Sequence, residues 1–333
     1  MHKFFDKKNL IKYLKKFMPL IGIIILVYLV VNIGTNEIVS TFLKISPVYI
    51  AIAAFLTLPR LLIRNFEWQL ILRQQKIHVS SIKSLKIFLI GYFYGSITPG
   101  YMGQLMRIPY LKDETNEPVG KLFVNCVVEE AVHTLPLYCM MLIGAFLMIN
   151  KVPQAFPIAL VIFLATIVLY IYFIKKERGE KTFRFLIKFL IPKNVKPYLT
   201  KFVDTFYTDF PRIRKLIIPF LISIPEWILI YSQIYILGLS LDIEVPYLAF
   251  LMLYPIANVI AFIPITSAGL GTREATLIFL FSFYGVAPEK TLVISLAGHL
   301  ITDVLTGFYG FIVSLTEARN NKKNRLDLEG ILE

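Results

Sequence analysis

Nine ionisable side chains of this 333-residue chain fall inside apolar stretches, away from loops and ends: Arg60, Glu129, Glu130, His133, Glu226, Arg273, Glu274, His299 and Asp303. A charge at the centre of a bilayer costs at least about 2.5–3.5 kcal/mol, so each must face protein or a water-filled space. Glu129 and His133 are spaced i, i+4, and so are His299 and Asp303, which puts each acid–imidazole pair on one helix face. Such pairs relay protons, hold a metal, or lock helices together by cancelling charge. No compact ligand signature accompanies them, so neither a metal nor another cofactor is expected. Together with Glu130 and Asn258 they make a candidate polar lining.

A sharper arrangement is Gly269-Leu270-Gly271 directly before Arg273 and Glu274. The glycines admit a tight turn and close backbone approach, and the following helix begins with unpaired N–H groups. That positive helix end, with Arg273 beside it, suits a phosphate or another anion. Glu274 would orient Arg273. Arg107, following Pro99-Gly100-Tyr101-Met102-Gly103, offers the same chemistry from a second place. The candidate substrate-binding set is therefore Gly100, Gly103, Arg107, Gly269, Gly271, Arg273 and Glu274. The competing role for each arginine is an interfacial anchor or an internal ion pair, Arg273 with Glu274 in particular. There is no Walker loop, nucleophile elbow, zincin motif or Rossmann fingerprint. No region is long and polar enough for a soluble catalytic domain.

The elements that carry these residues are apolar. The chain is 56% hydrophobic with a mean hydropathy of +0.67, above the roughly 45–50% apolar usage of soluble domains. The net charge of +13 sits mostly between the apolar runs, where it meets anionic headgroups rather than nucleic acid. Cys126 and Cys139 share one apolar stretch and read as small hydrophobes. Spanning segments are expected at Phe17–Gly34, a retained helix rather than a signal peptide, and at Pro47–Ile63, Leu122–Ile149, Pro153–Ile174, Leu216–Leu239 and Thr291–Leu315. Ser84–Thr98 is short and runs into Pro-Gly, and Tyr247–Ile265 carries Pro255, Asn258 and Pro264. Both read as half-membrane segments.

Positive charge orders these segments. Six Lys in the first 16 residues, five basic groups in 64–86 and twelve in 175–215 mark cytoplasmic stretches. Placing all three inside leaves two long helices between 86 and 175, so Ser84–Thr98 enters and returns on the inner side. By the same logic Tyr247–Phe283 enters from outside. The expectation is an all-α polytopic protein with six full crossings and two opposed re-entrant hairpins, both termini cytoplasmic. Each hairpin region has an apolar half-segment, a Gly-rich break, an arginine, and then a helix with acid and His: 84–149 and 247–315. Inverted repeats of broken helices are a recurrent transporter plan. Residues 175–215, with Phe183, Phe185, Leu186, Phe189 and Leu190 and then Leu199, Phe202, Val203, Phe206 and Phe210, read as two amphipathic helices on the inner leaflet. A plain cytoplasmic helical hairpin is the competing reading.

The run Gly91-Tyr92-Phe93-Tyr94-Gly95-Ser96-Ile97-Thr98-Pro99-Gly100-Tyr101-Met102-Gly103-Gln104-Leu105-Met106-Arg107 resembles the Pro-Gly-x-x-Gly…Arg element of the lysylphosphatidylglycerol-synthase transmembrane-region family, also called flippase-like domains. Pro264-Ile265-Thr266-Ser267-Ala268-Gly269-Leu270-Gly271-Thr272-Arg273-Glu274-Ala275 is similar to its second element, with Ser267-Ala268 in place of the usual Pro-Gly. Arg64 and Trp68 fit a weaker pattern of the same family. The resemblance spans nearly the whole chain and implies a membrane-embedded lipid translocator. The soluble aminoacyl-transferase domain of some relatives is absent here, so synthesis of lysyl-lipid is not expected.

Together these readings describe a plasma-membrane lipid transporter of flippase or scramblase type rather than an enzyme. It would move an anionic phospholipid or a polyprenyl-phosphate-linked lipid, with Arg107 and Arg273 on the phosphate. The alternative is a membrane subunit or accessory assisting a separate aminoacyl- or glycosyl-transferase. No nucleic-acid partner is expected, and oligomeric state is not legible.

Overall fold

Proline and glycine mark several of the helix breaks, among them Gly34, Pro99 and the Gly269–Gly271 turn. The computed structural model describes residues 22–174, 178–182, 185, 211–262 and 269–317. Most of them are helical, with no strand among them. The expected amphipathic stripe at 183–210, the Pro264–Ala268 stretch and the basic ends of the chain lie outside the described residues, Phe185 excepted.

The helices are α1 (Gly22–Ile33), α2 (Thr35–Leu43), α3 (Pro47–Phe55), α4 (Thr57–Gln74), α5 (Ser81–Ser96), a 3-10 segment (Pro99–Met106), α6 (Arg107–Thr115), α7 (Val119–Leu147), α8 (Ala155–Ile174), α9 (Ile217–Leu239), α10 (Tyr247–Phe262), α11 (Thr272–Ser282) and α12 (Pro288–Glu317). By length and composition four helical stretches can cross a bilayer: Pro47–Gln74, Val119–Leu147, Ala155–Tyr172 and Pro288–Glu317. The pair α1–α2 makes a fifth if it is one span, bent by 85° at Gly34, whose φ of 98° suits glycine. The chain is therefore a multi-span helical membrane protein. Helix α8 shows the reason most plainly: Ile158, Val161, Leu164, Val168 and Leu169 are each more than half exposed, a face suited to lipid.

Helix α4 is longer than its apolar run suggests. The sequence expectation ended the span at Ile63 and assigned 64–86 to a loop, whereas the helix continues to Gln74. It can do so because Arg64, Asn65, Glu67 and Gln69 are buried and hydrogen-bonded rather than solvated. At the α3–α4 junction, Pro59 cannot donate to the helix ladder. There Gln233 Nε2 donates to the Ala53 carbonyl at 2.6 Å and to Thr57 Oγ1 at 2.9 Å.

The helices gather into two compact units. One comprises Met1–Arg60, His133–Ile171 and Ser223–Thr302, the other Leu61–Val132, Tyr172–Ile222 and Asp303–Glu333. In lipid, helices gain little from burying apolar surface against each other, so close backbone approach and polar contacts hold them. The first unit shows this at Gly144, where a Cβ would collide with the Met252 carbonyl, and at Gly298, which sits against Ile234. Its core is aromatic: Trp227, Tyr231, Tyr254, Phe250 and Phe281 follow one another at centroid separations of 5.2–5.8 Å. The second unit uses the same device at Gly310, which lies against the Leu89 carbonyl of α5, next to a Phe93–Phe311 ring contact at 5.3 Å.

Candidate functional site

Two buried arginine–glutamate clusters organise the polar interior, one in each unit. In the first unit, Gly269 and Gly271 take φ of 72° and 87°, which lets the chain turn sharply into α11. Gly271 also lies against the backbone of Gly22, leaving no room for a side chain. The first turn of α11 then folds Glu274 back onto its own start. Glu274 Oε2 accepts from the Gly271 N–H at 2.6 Å. Its Oε1 accepts from Arg273 Nε at 3.0 Å, from Arg273 Nη2 at 2.8 Å and from Ser295 Oγ of α12 at 2.8 Å. Four donors thus converge on one carboxylate, and Glu274 and Ser295 are 0% exposed. The positive helix end that the sequence pointed to is present, and the anion it holds is the chain's own.

The second unit draws its cluster from four helices. Arg107, the first residue of α6, donates from Nη1 to Glu129 Oε2 of α7 at 2.8 Å. Arg64 of α4 pairs through Nη2 with the other oxygen of the same carboxylate and through Nη1 with Glu67 at 3.1 Å. Glu130 Oε2 is 3.6 Å from Arg64 Nη2. The Arg107 guanidinium lies over Trp68 at 5.1 Å and over Phe88 at 5.8 Å, and Arg64 covers Phe88 at 5.6 Å. Gly91 is what lets the Arg107 stem pass, since a Cβ there would meet it. Trp68 Nε1 donates to Asn125 Oδ1 at 2.8 Å, and Asn125 donates to Gln75 at 2.7 Å, so the walls are hydrogen-bonded as well.

The break before Arg107 is built from its own residues. Thr98 is extended, as a residue before proline tends to be. Its hydroxyl accepts from the Gly103 N–H at 2.7 Å and donates to the Tyr94 carbonyl at 2.9 Å. Gly103 is pressed against that same carbonyl. Gly100 lies in the 3-10 turn, and Tyr101 takes a φ of 55°, unusual for a side-chain-bearing residue. Its hydroxyl reaches Asp303 Oδ1 at 3.3 Å, and Tyr92 donates to the same oxygen at 2.7 Å.

The remaining candidates are dispersed. His133 Nδ1 is 3.1 Å from Glu226 Oε2, and the imidazole stacks on Trp227 at 4.9 Å. Asn258 Nδ2 donates to the Tyr231 hydroxyl at 3.1 Å. His299 is half-buried one residue before a π-helical turn, Leu300–Val304, that contains Asp303. Sequence reasoning gave no partner role to Arg64, Glu67, Ser295, Tyr92 or Tyr101. The i, i+3 spacing of Arg64 and Glu67, followed by buried Trp68, Ile71 and Leu72, was the available signal for the first two.

The element order repeats. Sixteen residues of α5 lead through a break to nine of α6 and 29 of α7. Sixteen residues of α10 lead to eleven of α11 and 30 of α12. The cluster arginine is the first residue of α6 and the second of α11, and each long helix supplies a partner, Glu129 or Ser295. At 1.5 Å per residue a 16-residue helix is about 24 Å long, short of a roughly 30 Å hydrocarbon core.

These features define a polytopic α-helical membrane protein whose charges are paired internally around glycine-rich helix breaks. A family model described as the lysylphosphatidylglycerol synthase TM region matches residues 18–310, and the chain belongs to that family. It is 21% identical over 321 residues to a UPF0104 membrane protein of Methanocaldococcus jannaschii, covering 92% of this chain and 96% of that one. A UPF0104 membrane protein of Methanothermobacter thermautotrophicus is 22% identical over 301 residues, 85% and 89% of the two chains. One of Pyrococcus horikoshii is 22% identical over 303 residues, 84% and 90%.

Proposed function

We propose that the chain moves a lipid with an anionic headgroup, a phospholipid or a polyprenyl-phosphate-linked lipid, between the leaflets of the plasma membrane. The observation that carries this reading is the Glu274 carboxylate held by four donors at the start of α11. A guanidinium fork, a helix-end N–H and a hydroxyl are the donor set for a phosphate oxygen. In the conformation described, Glu274 occupies that set, and a headgroup phosphate exchanges for it during transport. Arg107 plays the corresponding part opposite Glu129. Glu130 and Asp303 in one unit, and His133, Asn258 and His299 in the other, are the further polar groups this reading assigns to transport. Six crossings, two opposed re-entrant hairpins in an inverted repeat, and cytoplasmic termini fit both the charge distribution and the repeated element lengths.

The test is a leaflet-exchange assay in proteoliposomes carrying fluorescent phosphatidylglycerol. Wild type is expected to equilibrate the label, and Arg273→Ala to lose most of that rate. Wild-type vesicles no faster than protein-free ones would end the transporter reading. An Arg273→Ala variant as fast as wild type would remove the site from it.

A further inference from the structure

We propose that Arg64 and Arg107 form a two-guanidinium seat for a single phosphate group, with Glu129 as the resident anion that the phosphate displaces. The proposal rests on the transporter reading for its purpose and extends it to Arg64.

The geometry is that of a seat rather than of two separate ion pairs. The guanidiniums arrive from different helices, α4 and α6, and each takes one oxygen of the same Glu129 carboxylate. Two like charges are brought together around one anion, in a site where Arg64 is 3% exposed and Arg107 1%. A phosphate diester offers the same two anionic acceptor oxygens, and guanidinium forks match it. Exchange of the Glu129 carboxylate for a phosphate diester leaves the charge facing the two arginines unchanged, and the released carboxylate, buried in the resting state, must take up a proton or swing out to water. The aromatic faces of Trp68 and Phe88 hold both guanidiniums from behind, which fixes them without using their outward donors.

The seat lies beside a partly exposed flank of α7, although the Glu130 oxygen nearest Arg64 is itself buried. Arg64 Nη2 is 3.6 Å from Glu130 Oε2, and the Glu130 side chain is 43% exposed whereas that of Glu129 is 0% exposed. Val127, one turn away on α7, is 37% exposed and apolar. A packing role would be met as well by an apolar substitute, since buried ion pairs replaced by hydrophobic groups are often neutral or stabilising. An anion seat requires the donors themselves.

The experiment asks whether an anion replaces the missing carboxylate in the full-length protein purified in dodecyl maltoside. Glu129→Ala takes from Arg107 its carboxylate partner and leaves Arg64 with Glu67 and Glu130, and it should melt well below wild type. Inorganic phosphate should restore most of that loss, and chloride at equal ionic strength should not. Arg64→Met combined with Glu129→Ala should abolish the rescue. Glu129→Gln, which keeps the shape, is measured in parallel and carries the test if the alanine variant does not fold. Added phosphatidylglycerol is compared with phosphatidylcholine and with inorganic phosphate. Rescue by phosphatidylglycerol alone assigns the seat to a lipid headgroup, and rescue by inorganic phosphate too assigns it to phosphate from either source. Absence of rescue by every phosphate in both Glu129 variants, or rescue that survives loss of Arg64, overturns the proposal. Lipid movement is not the readout, so the seat and the transporter reading can fail independently.

Discussion

Arg60 and Thr302 are joined across 242 positions of chain by one hydrogen bond, Arg60 Nη2 to the Thr302 carbonyl at 2.8 Å. That carbonyl belongs to the π-helical turn Leu300–Val304, where the widened backbone offers an oxygen to a partner outside the helix. The same turn contains Asp303, the acceptor for Tyr92 and Tyr101. Arg60→Met removes the donor and should lower stability by about 1.5–3 kcal/mol, the range for a hydrogen bond to a charged group. Thermal denaturation in detergent measures this, and Arg60→Lys should recover part of it.

Glycine substitutions separate close approach from simple propensity. Gly310→Ala drives a Cβ into the Leu89 carbonyl and should cost about 1–3 kcal/mol. Gly238→Ala, on α9, has its nearest neighbours at 3.7 Å and should be neutral or gain up to about 1 kcal/mol from helix propensity. Compared by melting temperature, Gly310→Ala should fall and Gly238→Ala should not.

Trp68 carries two functions that two substitutions can divide. Trp68→Phe keeps a ring beneath Arg107 and loses the N–H to Asn125, leaving a buried acceptor short of its partner at about 1–3 kcal/mol. Trp68→Ala also opens a cavity, for about 3–5 kcal/mol. A larger loss in the phenylalanine variant than in the alanine variant would contradict this division. Urea or thermal unfolding gives the order.

Around Glu274 the donors should rank by geometry. Ser295→Ala deletes one of four donors and is expected to cost about 1.5–3 kcal/mol while leaving partial lipid exchange. Arg273→Lys is expected to be the more damaging for exchange, because an ammonium cannot supply Nε and Nη2 together in a fork. Rates of phosphatidylglycerol exchange for the two variants, each normalised to protein that remains folded, test the ranking.

Much of the architecture was legible because it is local. An apolar run long enough to span, a proline that removes a donor, and a glycine that admits a positive φ act within a few residues. The helices near 47–63, 122–149, 153–174, 216–239 and 291–315 could therefore be placed from sequence. The turn into Arg273 and Glu274 was legible for the same reason: Gly271 and Glu274 are three positions apart, and the contact between them is a first-turn contact. The extension of α4 was not, since Arg64 and Glu67 look like loop charges until their buried partners are known.

What the sequence determined by itself is the class of molecule: a chain too apolar for water, its few interior charges set beside glycine-rich breaks. It also determined that an arginine follows each of those breaks. Tertiary structure alone decided what they touch. Glu129 is shared by Arg64 and Arg107, from 65 and 22 positions away, and Ser295 reaches Glu274 across 21. The physical reason is that a buried charge is stable only beside a partner of opposite sign or a matching donor, and periodicity along a chain does not say which of several candidates folding brings within 3 Å.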